Sequence, residues 1–253
     1  MGEKGIENRL IPLDDARTLL WRIAMSDMMP SPAAIVYATA DLFIAPPHGM
    51  SGSQAVPCTE LKVNHSELSV QLVCIALVDM MQQGLITLQI VEATKLFVIH
   101  TKNVVLHMTP GAGTRMPQGG VAGWLTRSIL AHDGDNIHNI IRAAYGADYP
   151  DPFSVPVYIA GQELTELGYY ADTVQEIGGL GGKFLKAVHA PTTKHVPVPI
   201  PERFAALRAS APPVQQLLQS AGAHDPALWE MLHKQVKHAI SSRTEPADND
   251  TDP

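Results

Sequence analysis

The stretch from Asn64 to Met108, NHSELSVQLVCIALVDMMQQGLITLQIVEATKLFVIHTKNVVLHM, leaves this chain few ways to fold. Leu68, Leu72, Val73, Ala76, Leu77, Met80 and Met81 recur at helical spacing, which predicts a helix with a broad apolar face. Asn64 or Ser66 offers an oxygen to the free N–H groups of its first turn. Gly84 tolerates the left-handed conformation common just past a helix end. Leu85–Val91, Leu96–Ile99 and Val104–Met108 then read as short strands, rich in β-branched and apolar residues. A buried helix running into a small antiparallel sheet is the expected nucleus of the fold.

The flanking chain is punctuated by proline and glycine. Residues 1–29 read as a loose arm and a helix capped by Asp14, with Ala16, Leu19, Leu20, Ile23, Ala24 and Met28 facing inward. Pro30 and Pro32 end it, and Pro32 opens the next helix, expected over Ala33–Ile44. Pro46–Pro57 and Thr109–Gly120 are loops. Helices are expected over Val121–His132, Asn136–Tyr145, Val157–Leu167, Glu202–Ala221 and Asp225–Ile240, with Leu125, Ile129, Ile137, Ile140 and Ile141 in the core. A helix, a glycine and a hairpin follow one another twice, over Ser66–Met108 and Val157–Val198. That order suits two winged-helix-like halves, 30–110 and 117–200, and equally one helical domain, 30–221, with hairpins inserted in it. A C-terminal helix, 222–241, and a disordered acidic tail, 242–253, complete the expected order. The fold class is mainly α with small antiparallel β-hairpins.

At 45% hydrophobic and 17% charged residues the chain has ample material for a core. The longest apolar run, around Leu72–Met81, contains Asp79 and is too short to span a bilayer. The start, MGEKGIENRL, lacks the apolar stretch of a signal peptide and the myristoylation pattern. Cys58 and Cys74 are too few for a disulfide framework, and Cys74 reads as a small buried thiol. A cytoplasmic setting is expected, with attachment to a membrane surface allowed. The net charge of −7 owes much to Glu245, Asp248, Asp250 and Asp252 and argues against a general nucleic-acid binder.

No catalytic residue, metal site or cofactor is assigned. In GGLGGK, only three residues separate Gly178 from Gly182-Lys183, and Phe184 stands where a phosphate loop needs a hydroxyl, so a hairpin turn is expected. In HDGDNIH, counting from Asp133, no glycine holds the sixth position and Ala144 replaces the bidentate glutamate of a calcium loop. The 11 histidines lack a helical i, i+4 pair, and His233 and His238 point away from each other on one helix. His100, His107, His189 and His195 are expected to be structural. No nucleophile elbow and no Cys-His pattern is present.

A winged-helix pair that read DNA would carry cations on its recognition helices. Ser66–Gln83 has Glu67 and Asp79, Val157–Leu167 has Glu163 and Glu166, and neither has Lys or Arg. Sequence-specific DNA binding is therefore disfavoured, and Lys95, Lys102, Lys183, Lys186 and Lys194 leave positive charge on the hairpins alone.

The apolar helix closed by Gly84 with its strand LITL, then NVVLHMTPGAG, QELTELGYY and APTTKHVPVPIPERFAALR, together resemble the Golgi phosphoprotein family over roughly residues 30–221. The cytoplasmic tandem winged-helix part of some bacterial membrane proteins is similar over Ser66–Tyr170. The first resemblance implies a mostly helical fold that binds phosphoinositide headgroups from the membrane surface, without catalysis. The family's lipid-binding Trp and Arg positions fall on Asn64–Val73 and Ser154–Val157, which contain neither residue. Lys183, Lys186, Lys194 and Arg203, with Arg115 and Arg127, are the anionic contacts left for such a ligand. The second resemblance implies a scaffold that binds a protein partner through its hairpins or through the Leu207–Leu218 helix.

Overall fold

A computed structural model describes residues 29–47, 52–95, 99–176 and 193–244. The helix expected from Asp14, the GGLGGK turn with Lys183 and Lys186, and the acidic residues of the tail lie outside them. The described elements are α1 (Pro32–Ala38), β1 (Ser53–Ala55), β2 (Lys62–Asn64), α2 (His65–Gln82), β3 (Ile86–Lys95), β4 (Ile99–Met108), α3 (Gly120–Ala131), α4 (Ile137–Tyr145), α5 (Ser154–Glu166), β5 (Tyr170–Glu176), β6 (Thr193–Pro199), α6 (Pro201–Ala209), α7 (Ala211–His224) and α8 (Pro226–Ser241). The chain is mainly α-helical, with antiparallel two-stranded ribbons β1–β2, β3–β4 and β5–β6.

Asn64 starts α2: its side chain accepts from the Glu67 N–H at 3.0 Å, and the Ser66 hydroxyl donates to the same oxygen. Every residue from Leu68 to Val78 is buried, so α2 has no solvent face along its middle. It is enclosed by α1, α3, α5, α7 and α8. The apolar face expected from the spacing is buried, and Ser69 and Gln71 are buried with it, so the helix is covered all round along its middle, as a helix at the centre of a bundle is. Truncating one of its fully buried leucines, Leu68, Leu72 or Leu77, removes about 2–5 kcal/mol. Leu125, Ile129, Ile137, Ile140 and Ile141 are fully buried as expected, and Leu232, Val236, Ala239 and Ile240 of α8 join the same cluster.

One joint is built twice. Behind α2, Gly84 takes φ +65° and donates to Met81 O, while Leu85 N–H reaches back to Met80 O at 2.9 Å. Behind α5, Gly168 takes φ +74° and donates to Thr165 O, while Tyr169 N–H reaches Leu164 O at 2.8 Å. Both are Schellman-type helix ends, which only a residue free to adopt positive φ closes without strain. The returning strands are tied at the same place: Thr109 N–H donates to Leu85 O, and Ile200 N–H donates to Tyr169 O. A proline, Pro110 or Pro201, follows each time and sends the chain away from the ribbon.

The ribbons need the helices, since a lone two-stranded hairpin is marginal in water. Ile86, Leu88, Val104 and Leu106 bury the base of β3–β4. The Gln235 side chain of α8 acts as a substitute strand: its Oε1 accepts from Val104 N–H and its Nε2 donates to Lys102 O. In β6, Pro197 and Pro199 occupy alternate positions, so the ladder to β5 runs through the residues between them.

Several boundaries differ from expectation. The three short strands over 85–108 are two ten-residue strands paired from Ile86↔Met108 to Lys95↔Ile99. The helix over Ala33–Ile44 stops at Ala38, where the Thr39 hydroxyl donates to Ile35 O and a tight 3₁₀ turn follows. The single helix over Glu202–Ala221 is two, α6 and α7, because Pro212 and Pro213 lack N–H groups and fit only a first turn. The helix over Val157–Leu167 begins earlier, at Ser154, with Pro156 in its first turn.

Candidate functional site

Among the described residues the predicted cations are spread over β6, α6, α3 and the turn before α3. Lys183 and Lys186 lie outside the described residues, and Lys194 sits on β6 opposite Gln175. Arg203, in the first turn of α6, donates from Nη1 to Gly168 O at 2.7 Å. It thereby neutralises the carbonyl end of α5 and braces the second joint, a structural use of its charge. Arg115 and Arg127 are both exposed. Arg127 and Leu130 are one turn apart on the outside of α3, and a Cβ on Gly113 would touch Leu130 at 3.7 Å. The turn Gly113–Arg115 therefore leans on the same face, which carries two arginines beside a leucine 46% exposed. Among the described residues neither arginine has an ion-pair partner.

A Ser, a His and an Asp converge at the start of α5, an arrangement the sequence spacing did not reveal. Ser154 Oγ lies 3.4 Å from His65 Nε2, and Asp151 Oδ2 lies 3.4 Å from the same nitrogen. The serine hydroxyl donates directly to Asp151. In a hydrolytic relay the acid holds one imidazole nitrogen and the serine the other. Here both meet Nε2, and the serine hydroxyl directs its hydrogen bond to the carboxylate, which is 56% exposed. The trio ties the start of α2 to the start of α5, in a geometry that differs from that of such a relay.

The histidines also serve the helical frame. His138 of α4 stacks on His238 of α8 with ring centroids 4.9 Å apart, and His233 meets the edge of Trp229. His233 and His238 thus face different neighbours, as their spacing implies. Burial pushes the pKa of His138 and of His233 down, and the His238 and Arg142 charges add to the effect at His138. Asp133 and Asp135, in the loop resembling a calcium site, bind the frame instead. Asp133 Oδ1 accepts from Met108 N–H, Asp135 Oδ1 accepts from Asn136 N–H, and Asp135 O accepts from Leu106 N–H. Among the described residues no group of three metal-binding side chains occurs.

The sequence reading counted Glu163 only as an acid on its helix and missed what it holds together. Its carboxylate accepts from Ser31 N–H at 2.7 Å and from the Ser31 hydroxyl at 2.8 Å. Ser31 in turn caps α1 by accepting from Ala34 N–H. Gly120, at φ +62°, opens α3 directly against this carboxylate, where a Cβ would overlap Oε2. Burial pushes the Glu163 carboxyl up, and the bonds from Ser31 oppose that shift. Only the buried face of α5 distinguishes Glu163 from the exposed Glu166, and no local signal marks it.

The first ribbon extends past the core. Beyond Ile90 its residues leave the core: Val91 is 38% exposed, and Glu92 pairs with Lys102 at 2.9 Å in solvent. The edge of β4 is occupied by Gln235 and by the 133–136 loop. Among the described residues no backbone outside the ribbon pairs with the edge of β3. No described helix is long and apolar enough to cross a membrane. No family model, no curated protein and no solved structure matches this chain.

Proposed function

We propose that the protein is a non-catalytic adaptor: a rigid helical frame that presents its first hairpin to an extended segment of a partner protein. The observation that carries this reading is the asymmetry of the β3–β4 ribbon. One edge is filled by the Gln235 side chain and the 133–136 loop of its own frame, and the backbone donors and acceptors of the other have no partner among the described residues. Natural sheets cover or charge such an edge unless it pairs with something, and strand addition is a common mode of peptide recognition. The duplicated joints hold the ribbon bases in fixed geometry, as a scaffold of the tandem helix–hairpin kind needs.

Arg115, Arg127 and the exposed Leu130 support a second reading, weak attachment to an anionic lipid surface, as the likeness to the Golgi phosphoprotein family implies. Two cations at such a surface contribute about 1 kcal/mol each and one inserted leucine about 2. A total of about 4 kcal/mol corresponds to millimolar affinity. The patch would assist docking but not sustain it, so the protein-binding reading comes first.

A photo-crosslinking amino acid placed at Val91, with Leu130 as the alternative position, separates the two readings in lysate of the source cells. The adaptor reading expects one saturable adduct from Val91, competed by excess unlabelled protein and absent when the hairpin is cut back to Ile90↔Val104. Equal or unsaturable labelling from both positions overturns it. Co-sedimentation with phosphatidylserine vesicles that disappears in Arg115→Glu, Arg127→Glu would favour the lipid surface.

A further inference from the structure

The returning strands β4 and β6 are closed along their outer edges. Thr109 N–H donates to Leu85 O and Ile200 N–H to Tyr169 O, which fixes the parity of each ladder. Residues 102, 104, 106 and 108 of β4 therefore turn their backbone groups outward, as do 193, 195, 197 and 199 of β6. On β4, Val104 N–H is taken by Gln235, Leu106 N–H by Asp135 O and Met108 N–H by Asp133. On β6, the outward positions include Pro197 and Pro199, which have no N–H to offer. By the same parity β3 turns out Ile86, Leu88, Ile90 and Glu92, and among the described residues nothing pairs with their backbone groups.

The β3 edge is complementary to itself. Between Ile86 and Thr94 the only charged residue is Glu92. When two such strands lie antiparallel about a two-fold axis at Gln89, Leu88 faces Ile90 of the other copy on the side toward the frame. On the outer side Val91, which is 38% exposed, faces Thr87, a favourable β-branched cross-strand pair. The two Glu92 carboxylates then stand about 20 Å apart along the sheet, beyond the reach of screened repulsion. Centring the pair on Glu92 would set them face to face, which is destabilising. Because the strands run in opposite directions, the base of each ribbon lies beside the outer half of the other, and the two frames sit at opposite ends of the joined sheet. We propose that, when no partner segment holds it, the β3 edge pairs antiparallel about Gln89 with the β3 edge of a second copy of this chain, which guards the edge until a partner segment displaces it. The proposal rests on the reading of β3 as a pairing edge. A single strand pair buries well below the roughly 1,200 Å² of a stable interface, so the association is weak and dilution opens the edge.

In this register Gln89 and its counterpart form a non-hydrogen-bonded pair with Cα atoms about 4.5 Å apart, within disulfide reach. The test uses the full chain with Cys58→Ser, the buried Cys74 being left in place, in a glutathione redox buffer at high protein concentration. Thr87, Gln89 and Val91 are all exposed, so cysteines there leave the core untouched. Gln89→Cys gives a disulfide-linked dimer by itself, whereas Thr87→Cys and Val91→Cys give little alone and much when mixed. In sedimentation the wild type dimerises as its concentration rises, Gln89→Glu weakens the dimer about tenfold, and mixing Gln89→Glu with Gln89→Lys restores it. A monomer at every concentration, equal linking from all three single variants, or a Gln89→Glu dimer as strong as the wild type overturns the proposal. The Val91 photo-adduct then separates the two failures. A saturable adduct with a different protein leaves β3 standing as a pairing edge, and the absence of any saturable adduct removes that reading as well.

Discussion

Replacing Gly120 by alanine perturbs three helices through one carboxylate. A Cβ at this position overlaps Glu163 Oε2 and is held at φ +62°, so two costs arise. Left-handed backbone for alanine costs about 1–2 kcal/mol. Displacing Glu163 breaks its two bonds to Ser31, each worth about 1.5–3 kcal/mol as a hydrogen bond to a charged group, and part of this returns as the carboxylate regains solvent. Gly120→Ala should therefore lose about 3–5 kcal/mol by urea denaturation. Glu163→Ala alone should lose about 2–4 kcal/mol, because Ser31 N–H is left without its acceptor. In the double variant the overlap no longer exists, and Gly120→Ala should add only its backbone cost. The cycle should thus show a coupling of about 2 kcal/mol or more, whereas independent sites add within about 0.5 kcal/mol. Additive losses would refute the placement of Glu163 against α3, and with it the reading of this carboxylate as the pin joining α1, α3 and α5.

Three further outcomes follow from the same coordinates. Gly84→Ala meets only backbone strain, since nothing lies within 4 Å of its Cβ, and should cost about 1–2 kcal/mol. Gly168→Ala also presses Arg203 Nη1 at 2.8 Å, so it should cost more, and Arg203→Ala should remove the excess but not the strain in chemical denaturation. His138 and His233 have folded pKa values below their unfolded ones, so the unfolded chain binds more protons. Their contribution to stability is complete above about pH 6.5 and falls as pH drops through it, by at most about 1.4 kcal/mol per pH unit for each proton. Asp79 and Glu163, raised by burial, act with the opposite sign, and the double variant His138→Gln, His233→Gln should flatten only the histidine part of a melting profile between pH 7.5 and 6.

The sequence revealed elements wherever one residue dictates one conformation. Gly84 and Gly168 end their helices as read, and Asn64, Asn136 and Asp225 cap theirs by accepting from Glu67, Asn139 and Leu228 N–H groups. It was less informative wherever the outcome depends on distant neighbours. The apolar residues of α2 are buried as read, but the five helices around it also cover the rest of its middle, from Leu68 to Val78, which spacing within the segment does not show. The full length of β3 and β4 was hidden because polar residues such as Gln89, Glu92 and Lys102 extend the ribbon past the core. The break between α6 and α7 was announced by Pro212-Pro213 and could have been read from that pair. For the site, the sequence located the hairpins as exposed features, but it could not show which edge is filled. That depends on Gln235, 131 positions away from Val104. Arg203 was nominated as a ligand contact, and the fold uses it to hold Gly168.

Native-state hydrogen exchange, resolved by residue, tests the architecture most directly. If both joints belong to one frame with one open ribbon edge, the amides of Leu85, Tyr169, Thr109 and Ile200 open with free energies within about 1 kcal/mol of one another, and the outward amides of β3 exchange far faster than those bonded to β4. Two widely separated opening energies for the two joints, or slow exchange along the whole of β3, would contradict it.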